Sequence, residues 1–124
     1  MSRYKKDLGD FGEAVACHYL ENKGYKILEN NYRTRHGEID IICMDKGFLV
    51  FVEVKTRKSN EYGQPAEAVN STKIKHMKNA AKQYYNTHPI DAEIRFDVIE
   101  VYAANISGIL EYSEINHIEN IDVF

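Results

Sequence analysis

The chain has 124 residues, 44% of them apolar and 28% charged, with a formal net charge of −3. This length suits one domain spanning residues 1–124, large enough to bury a core and too short for two, and the composition argues against disorder. No apolar run approaches the ~18 residues that a membrane-spanning helix needs, and the charged start Met1-Ser2-Arg3-Tyr4-Lys5-Lys6 lacks the apolar stretch of a signal peptide.

Cys17 and Cys43 are the two cysteines, and they lack metal-type spacing. Free thiols in a reducing cytoplasm are the expected state. The charge is unevenly spread. From Met1 to Lys82 there are fifteen Lys/Arg and eleven Asp/Glu, a net of +4; from Gln83 to Phe124 there are one and eight, a net of −7. A basic and an acidic part of the surface make a nucleic-acid partner admissible, although the same asymmetry equally suits an ordinary solvated surface.

In chain order, Leu8, Phe11, Val15 and Tyr19 recur at three- and four-residue steps, with Ala14 beside them, and predict a helix over Asp7–Asn22. Gly24 is placed to close it. Lys26–Asn31 suits a short strand. Gly37–Met44 and Phe48–Thr56 are β-rich runs, and Asp45-Lys46-Gly47 between them is turn chemistry, so the two predict an antiparallel hairpin. A loop with Ser59, Asn60, Gly63 and Pro65 follows. A second helix is expected over Thr72–Tyr85, burying Ile74, Met77, Ala81 and Tyr84, with Asn70 or Ser71 as its cap and Pro89 beyond its end. Glu93–Tyr102 reads as a strand, and the remainder as one more strand with a terminal turn. The order of elements implies α/β or α+β layers.

The hairpin carries the chemistry. A two-residue loop at Lys46-Gly47 pairs Asp45 with Phe48; counting back sets Asp40 opposite Glu53 and Glu38 opposite Lys55. Alternation puts Glu53 and Lys55 on one face, with Val52 and Val54 toward the core. Two carboxylates directly opposite, roughly 5 Å apart at Cβ, destabilise a sheet, and either a raised pKa or a nearby cation must relieve them. Hard oxygen ligands with room for water match Mg²⁺ or Mn²⁺, and Lys55 on the same face could orient a water or hold developing negative charge. The plainer reading is a surface salt-bridge ladder worth ~0–1 kcal/mol. An Asp flanked by isoleucines in mid-strand speaks against it.

The runs Gly37-Glu38-Ile39-Asp40-Ile41-Ile42 and Val50-Phe51-Val52-Glu53-Val54-Lys55-Thr56-Arg57 resemble the PD-(D/E)XK nuclease signature. The chain as a whole resembles the YraN-like family, small bacterial proteins with a restriction-endonuclease-like fold akin to archaeal Holliday-junction resolvases. Gly9–Ala16, Asn31-Tyr32-Arg33, Tyr62-Gly63, Ala66–Val69, Arg95–Val98 and His117-Ile118 carry that likeness over nearly the whole length. The resemblance implies an α/β fold with a mixed sheet flanked by helices. It also implies Asp40 and Glu53 as metal ligands, Lys55 as the catalytic lysine and Glu13 as a further acidic residue at the metal. The helical wheel alone sets Glu13 off the apolar stripe, at the edge made by Ala16 and Leu20, as a solvent residue.

Arg33, Arg35 and His36 precede the acidic strand, and Arg57 and Lys58 follow the Lys55 strand at the same end of the hairpin. Such a rim can hold phosphates without reading sequence. Lys75, Lys78 and Lys82 form a stripe whose plainer reading is a solvated helix face; Tyr84 and Tyr85 suit the core, and His76, His88 and His117 have no zinc spacing. The expectation is a Mg²⁺- or Mn²⁺-dependent phosphodiesterase acting on nucleic acid, in particular structured or branched DNA. Its rivals are a non-cleaving nucleic-acid-binding module of the same fold and a protein-binding role for the acidic face. Related resolvases act as dimers, so a homodimer is a further expectation.

Overall fold

The computed structural model describes residues 3–61 and 71–121. Helix α1 spans Arg3–Asn22, strands β1, β2 and β3 span Lys26–Thr34, Gly37–Asp45 and Phe48–Lys58, and a short 3₁₀ turn covers Ser59–Glu61. Helix α2 then spans Ser71–Thr87, and β4 and β5 span Glu93–Ile106 and Ile109–Ile118. The five strands form one sheet in the order β1-β2-β3-β4-β5. All neighbours are antiparallel except β3 and β4, which run parallel and are connected through α2. The result is a mixed sheet with a helix on each face, a restriction-endonuclease-like α/β architecture. Among the described residues no helix is long and apolar enough to cross a membrane.

Each element follows from local chemistry. Helix α1 ends where Gly24, at φ 93°, turns left-handed. The Gly24 N–H donates to Glu21 O at 3.0 Å and the Tyr25 N–H to Leu20 O at 3.0 Å, the double bond pattern of a Schellman cap. The β2–β3 turn has positive φ at both Lys46 (46°) and Gly47 (89°), the two-residue geometry whose twist suits a hairpin. Strand β1 runs past Asn31 to Thr34 because Asn31 takes φ 51°, a left-handed conformation that asparagine tolerates and that apolar periodicity does not register. The proposed helix cap Asn70 and the loop residues Gly63 and Pro65 lie outside the described residues.

Both faces of the sheet are covered. On one, Ala16 and Leu20 of α1 meet Ile41, Cys43, Val50, Val52, Ile99 and Val101. On the other, Met77, Ala80, Ala81 and Tyr84 of α2 meet Ile39, Ile42, Leu49 and Phe51. Each fully buried Leu, Ile or Phe contributes roughly 1.5–3 kcal/mol by leaving water. The buried stripe of α1 is rotated from its sequence expectation: Gly12, Ala16 and Leu20 form its centre, Phe11, Val15 and Tyr19 are half-buried, and Ala14 is exposed. The cause is Gly12. A Cβ there would lie 1.8 Å from Thr56 Oγ1, so the missing side chain lets α1 settle directly on β3.

Candidate metal centre at a fork in the sheet

Strands β2 and β3 pair in the expected register from Asp45↔Phe48 to Ile41↔Val52, and the ladder ends there. Beyond it the strands part. β2 stays with β1 as far as Gly37↔Thr34, while β3 stays with β4 as far as Lys58↔Ala103. The expected cross-strand pairs Asp40–Glu53 and Glu38–Lys55 therefore do not form as ladder pairs. Instead the Val54 N–H donates to Asp40 Oδ2 at 2.8 Å, so a carboxylate replaces a backbone carbonyl at the fork. Glu38 turns to its β1 neighbour, accepting from Arg33 Nε at 3.2 Å.

The fork also breaks the alternation of β2. Ile41 packs in the α1 cluster and Ile39 in the α2 cluster, although residues two apart on a regular strand share a face. Asp40 lies at that inversion, bonded to the edge of β3 and reached from both sides of the sheet. From α1, Glu13 shares a hydrogen bond with it. From α2, Lys73 Nζ lies 3.1 Å from Glu53 Oε1, and its charge also acts on Asp40.

Glu53 is 5% exposed, which argues against the plainer reading of a surface salt-bridge ladder: α2 covers the face of β3 that carries it. Burial first, and the charge of Asp40 second, push Glu53 up to about 7, against the pull of Lys73 and Lys55. Glu13 is likewise pushed up to about 7, by burial first and then by the charge of Asp40 and the hydrogen bond to it. Burial also raises Asp40, opposed by the Val54 N–H and the Lys73 charge. Lys73 loses by burial but gains more from Glu53, so its ammonium is held above the usual lysine range. Glu53 Oε2 is buried and has no hydrogen-bond partner among the described residues. A carboxylate oxygen in that condition forfeits its hydration, and a hard cation is the kind of group it suits.

Glu13, Asp40, Glu53 and Lys55 are near enough for their charges to act on one another, and Lys73 joins them, although among the described residues the three carboxylates do not bring ligand atoms within 4.8 Å of each other. Sequence reasoning missed Lys73 because it looked for the lysine stripe at 75, 78 and 82. It set Glu13 in solvent because the large apolar residues of α1 drew the stripe; the small pair Gly12 and Ala16 was the usable signal. Arg57 does not join the phosphate rim. Its side chain is 12% exposed and its Nε donates to Glu100 Oε2 at 2.8 Å, which neutralises a glutamate that is itself 1% exposed. Arg33, Arg35, His36 and Lys58 do lie exposed.

A second group of potential ligands lies on the α1 face, where Asp97, His117 and Glu119 each bring one ligand atom to within 4.8 Å of the others. They could hold a metal by spacing, but Asp97 is already satisfied. It accepts from Arg95 Nε and Nη2 at 3.0 Å each and from the Asn120 N–H at 2.9 Å, with His117 Nε2 at 2.8 Å. Burial would raise Asp97, but the hydrogen bonds from His117 and Arg95 outweigh it and hold the carboxyl below its usual range. Arg95 also reaches Asp45 Oδ2 at 3.1 Å and the Tyr25 hydroxyl at 2.7 Å. This network ties β4, β5, the end of α1 and the β2–β3 turn together. It accounts for the Arg95–Val98 and His117-Ile118 stretches, whose part the sequence left open. Nearby, Cys43 is buried and its thiol is pushed up to about 12, chiefly by burial.

Fold and centre together define an α/β domain of restriction-endonuclease-like architecture that concentrates carboxylates where its central hairpin forks. The chain belongs to the uncharacterised protein family UPF0102, which matches residues 12–101 and so takes in α1 from Gly12 onward, the fork and β4 as far as Val101. Among its relatives, a UPF0102 protein of Alkaliphilus oremlandii is 49% identical over 118 residues, covering 93% of this chain and 97% of the relative. One from Syntrophomonas wolfei is 46% identical over 116 residues, covering 93% and 96%, and one from Clostridium botulinum strain 657 is 50% identical over 98 residues, covering 77% and 80%.

Proposed function

We propose that this protein is a divalent-metal-dependent nuclease of the PD-(D/E)XK kind, hydrolysing phosphodiesters of nucleic acid, in particular structured or branched DNA, in a reducing cytoplasm. The observation that carries the reading is the buried, partnerless Glu53 Oε2 beside Asp40, with Lys55 following on the same strand. Asp40 and Glu53 would hold Mg²⁺ or Mn²⁺, with Glu13 supporting it from α1; hard carboxylate oxygens fit those ions. When bound, the ion supplies charge stabilisation at the phosphoryl oxygens.

The remaining work falls to the chain. The Val54 N–H fixes the rotamer of Asp40 through Oδ2. Lys55 presents an ammonium that steadies the attacking water or the charge developing on the phosphate. Glu13 and Glu53 are both raised to about 7 and would have to give up their protons to hold a cation, so affinity would rise with pH. Arg33, Arg35 and Lys58 hold flanking phosphates from the exposed end of the hairpin.

One observation favours a second reading, a nucleic-acid-binding module that does not cleave: Lys73 already supplies a cation 3.1 Å from Glu53. A panel of branched, single-stranded and duplex substrates with Mg²⁺ and Mn²⁺ separates the two. The nuclease reading expects cleavage that is lost in Asp40→Ala and Lys55→Ala; binding without cleavage of any substrate favours the module.

A further inference from the structure

Helix α2 carries Lys73, Lys75, Lys78, Lys82 and His76 and no Asp or Glu, in a chain whose acids outnumber its Lys and Arg. Its exposed side borders three clefts, of about 470, 590 and 700 Å³. The two smaller ones share His36 and Asn79 and lie between α2 and the β1–β2 turn, and Asn79 and Lys82 also line the largest. Arg35, His36, Lys75, His76, Lys78 and Lys82 line them between them, and among the described residues no carboxylate lines any of the three. The turn and the helix approach closely, since a Cβ on Gly37 would lie 2.6 Å from the His76 carbonyl oxygen.

We infer that this side of α2 is a binding surface for the sugar–phosphate backbone of nucleic acid, leading along the helix to the fork. The inference deepens the nuclease reading and rests on it for the identity of the ligand. Three features select a phosphodiester chain over other anions. The cations are strung out: Lys75 and Lys82 stand about 10 Å apart along the axis at 1.5 Å per residue, the axial length of about three phosphates on one DNA strand. The amide donor Asn79 lies between them and Gln83 directly follows Lys82, the kind of group that contacts phosphate and sugar without reading bases. Finally, the same helix places Lys73 against Glu53, so a strand lying along α2 arrives at the carboxylates. The lysine stripe is therefore more than a solvated face. It also supplies the phosphate contacts that Arg57, held by Glu100, does not make.

The test is binding of a labelled DNA duplex to the full chain by fluorescence anisotropy in EDTA, across about 50–200 mM salt. Lys75→Gln/Lys82→Gln is compared with Lys26→Gln/Lys46→Asn, which removes two lysines that line none of the clefts. The cleft pair should weaken binding by ~tenfold or more and reduce the slope of log K against log salt by about 2, one for each phosphate no longer neutralised; the control pair should change neither. Unchanged binding in the cleft pair, an equal loss in the control, absence of binding by the unmodified protein, or lysine-dependent preference for phosphatidylserine vesicles over duplex would each overturn the inference. Binding with the expected slope but no cleavage under Mg²⁺ or Mn²⁺ would sink the nuclease reading and leave the clefts standing. Cleavage with unaltered binding in the cleft pair would do the reverse.

Discussion

Replacing Asp40 by asparagine should stabilise the protein at alkaline pH in EDTA and leave it nearly unchanged in acid. Asparagine keeps the shape, and its carbonyl oxygen can still accept the Val54 N–H that Asp40 Oδ2 accepts at 2.8 Å. What it removes is the charge that acts on both Glu13 and Glu53. Those two groups hold their protons more tightly in the fold, at about 7 against 4.5 for the ordinary carboxyl. Their favourable contribution is complete below about pH 4.5 and is lost as pH rises through 7. At pH 5 both are neutral and Asp40 has no charged carboxylate to repel. At pH 8 Glu13 and Glu53 are above their values of about 7 and meet the charge of Asp40.

At about 1.4 kcal/mol per pKa unit, the rise of Glu53 alone caps its own penalty at about 3 kcal/mol. Burial is the larger cause and survives the substitution, so relief of about 1 kcal/mol is expected, roughly 4 °C in melting temperature for a domain of this size. Thermal melts by circular dichroism from pH 5 to 8.5 in EDTA give the measurement. With millimolar Mn²⁺ the order should invert: the unmodified chain gains stability by ligand linkage, and Asp40→Asn gains little. Equal destabilisation at pH 5 and pH 8 would show that Asp40 is a structural acceptor only, and that carboxylate repulsion plays no part at the fork.

Asp97→Asn should cost about 3–5 kcal/mol, because it breaks the buried two-bond Arg95–Asp97 pair and leaves the guanidinium only Asp45 and the more distant Glu119; chemical denaturation at pH 7 checks this. The stability from Asp97 has the opposite pH window, present above its unfolded value of 3.8 and lost only as pH falls below it. Gly12→Ala should lift α1 from β3, since the new Cβ meets Thr56. It should therefore lower the Mn²⁺ affinity read by calorimetry as well as the melting temperature, by separating Glu13 from Asp40. Lys46→Asn should raise stability by about 0.5–1 kcal/mol in urea melts, since Lys46 holds φ 46° in the hairpin turn and asparagine tolerates that region better.

What could be seen in the sequence was what depends on neighbours along the chain. Turn chemistry at Lys46-Gly47 sufficed to set the hairpin register, and that register holds through Ile41↔Val52. Met77, Ala81 and Tyr84 fell on the buried side of α2 as their spacing required. The fork was invisible because it arises from competition between distant strand partners. β2 follows β1 past Asn31, β3 follows β4 in parallel, and no local signal says which partner a strand keeps. The burial of Glu53 was hidden for a related reason. A mixed sheet with a helix on each face leaves β3 no wet side, and that is known only once α2 is in place.

The fork explains why the centre can exist at all. A fully zipped β2–β3 hairpin would keep α1 and α2 on separate faces, and Glu13 and Lys73 could not act on one carboxylate. By ending the ladder at Ile41↔Val52 and substituting a side-chain acceptor for a backbone one, the fold opens the sheet at one place without leaving the Val54 N–H unsatisfied. Part of the cost falls there: carboxylates with raised pKa values and the partnerless Glu53 Oε2. That cost is tolerated because the Arg95–Asp97 network and two apolar layers anchor the strands elsewhere. An unfavourable cluster held by a rigid frame is the condition under which a bound cation is felt most strongly, since each carboxylate it neutralises was already destabilised.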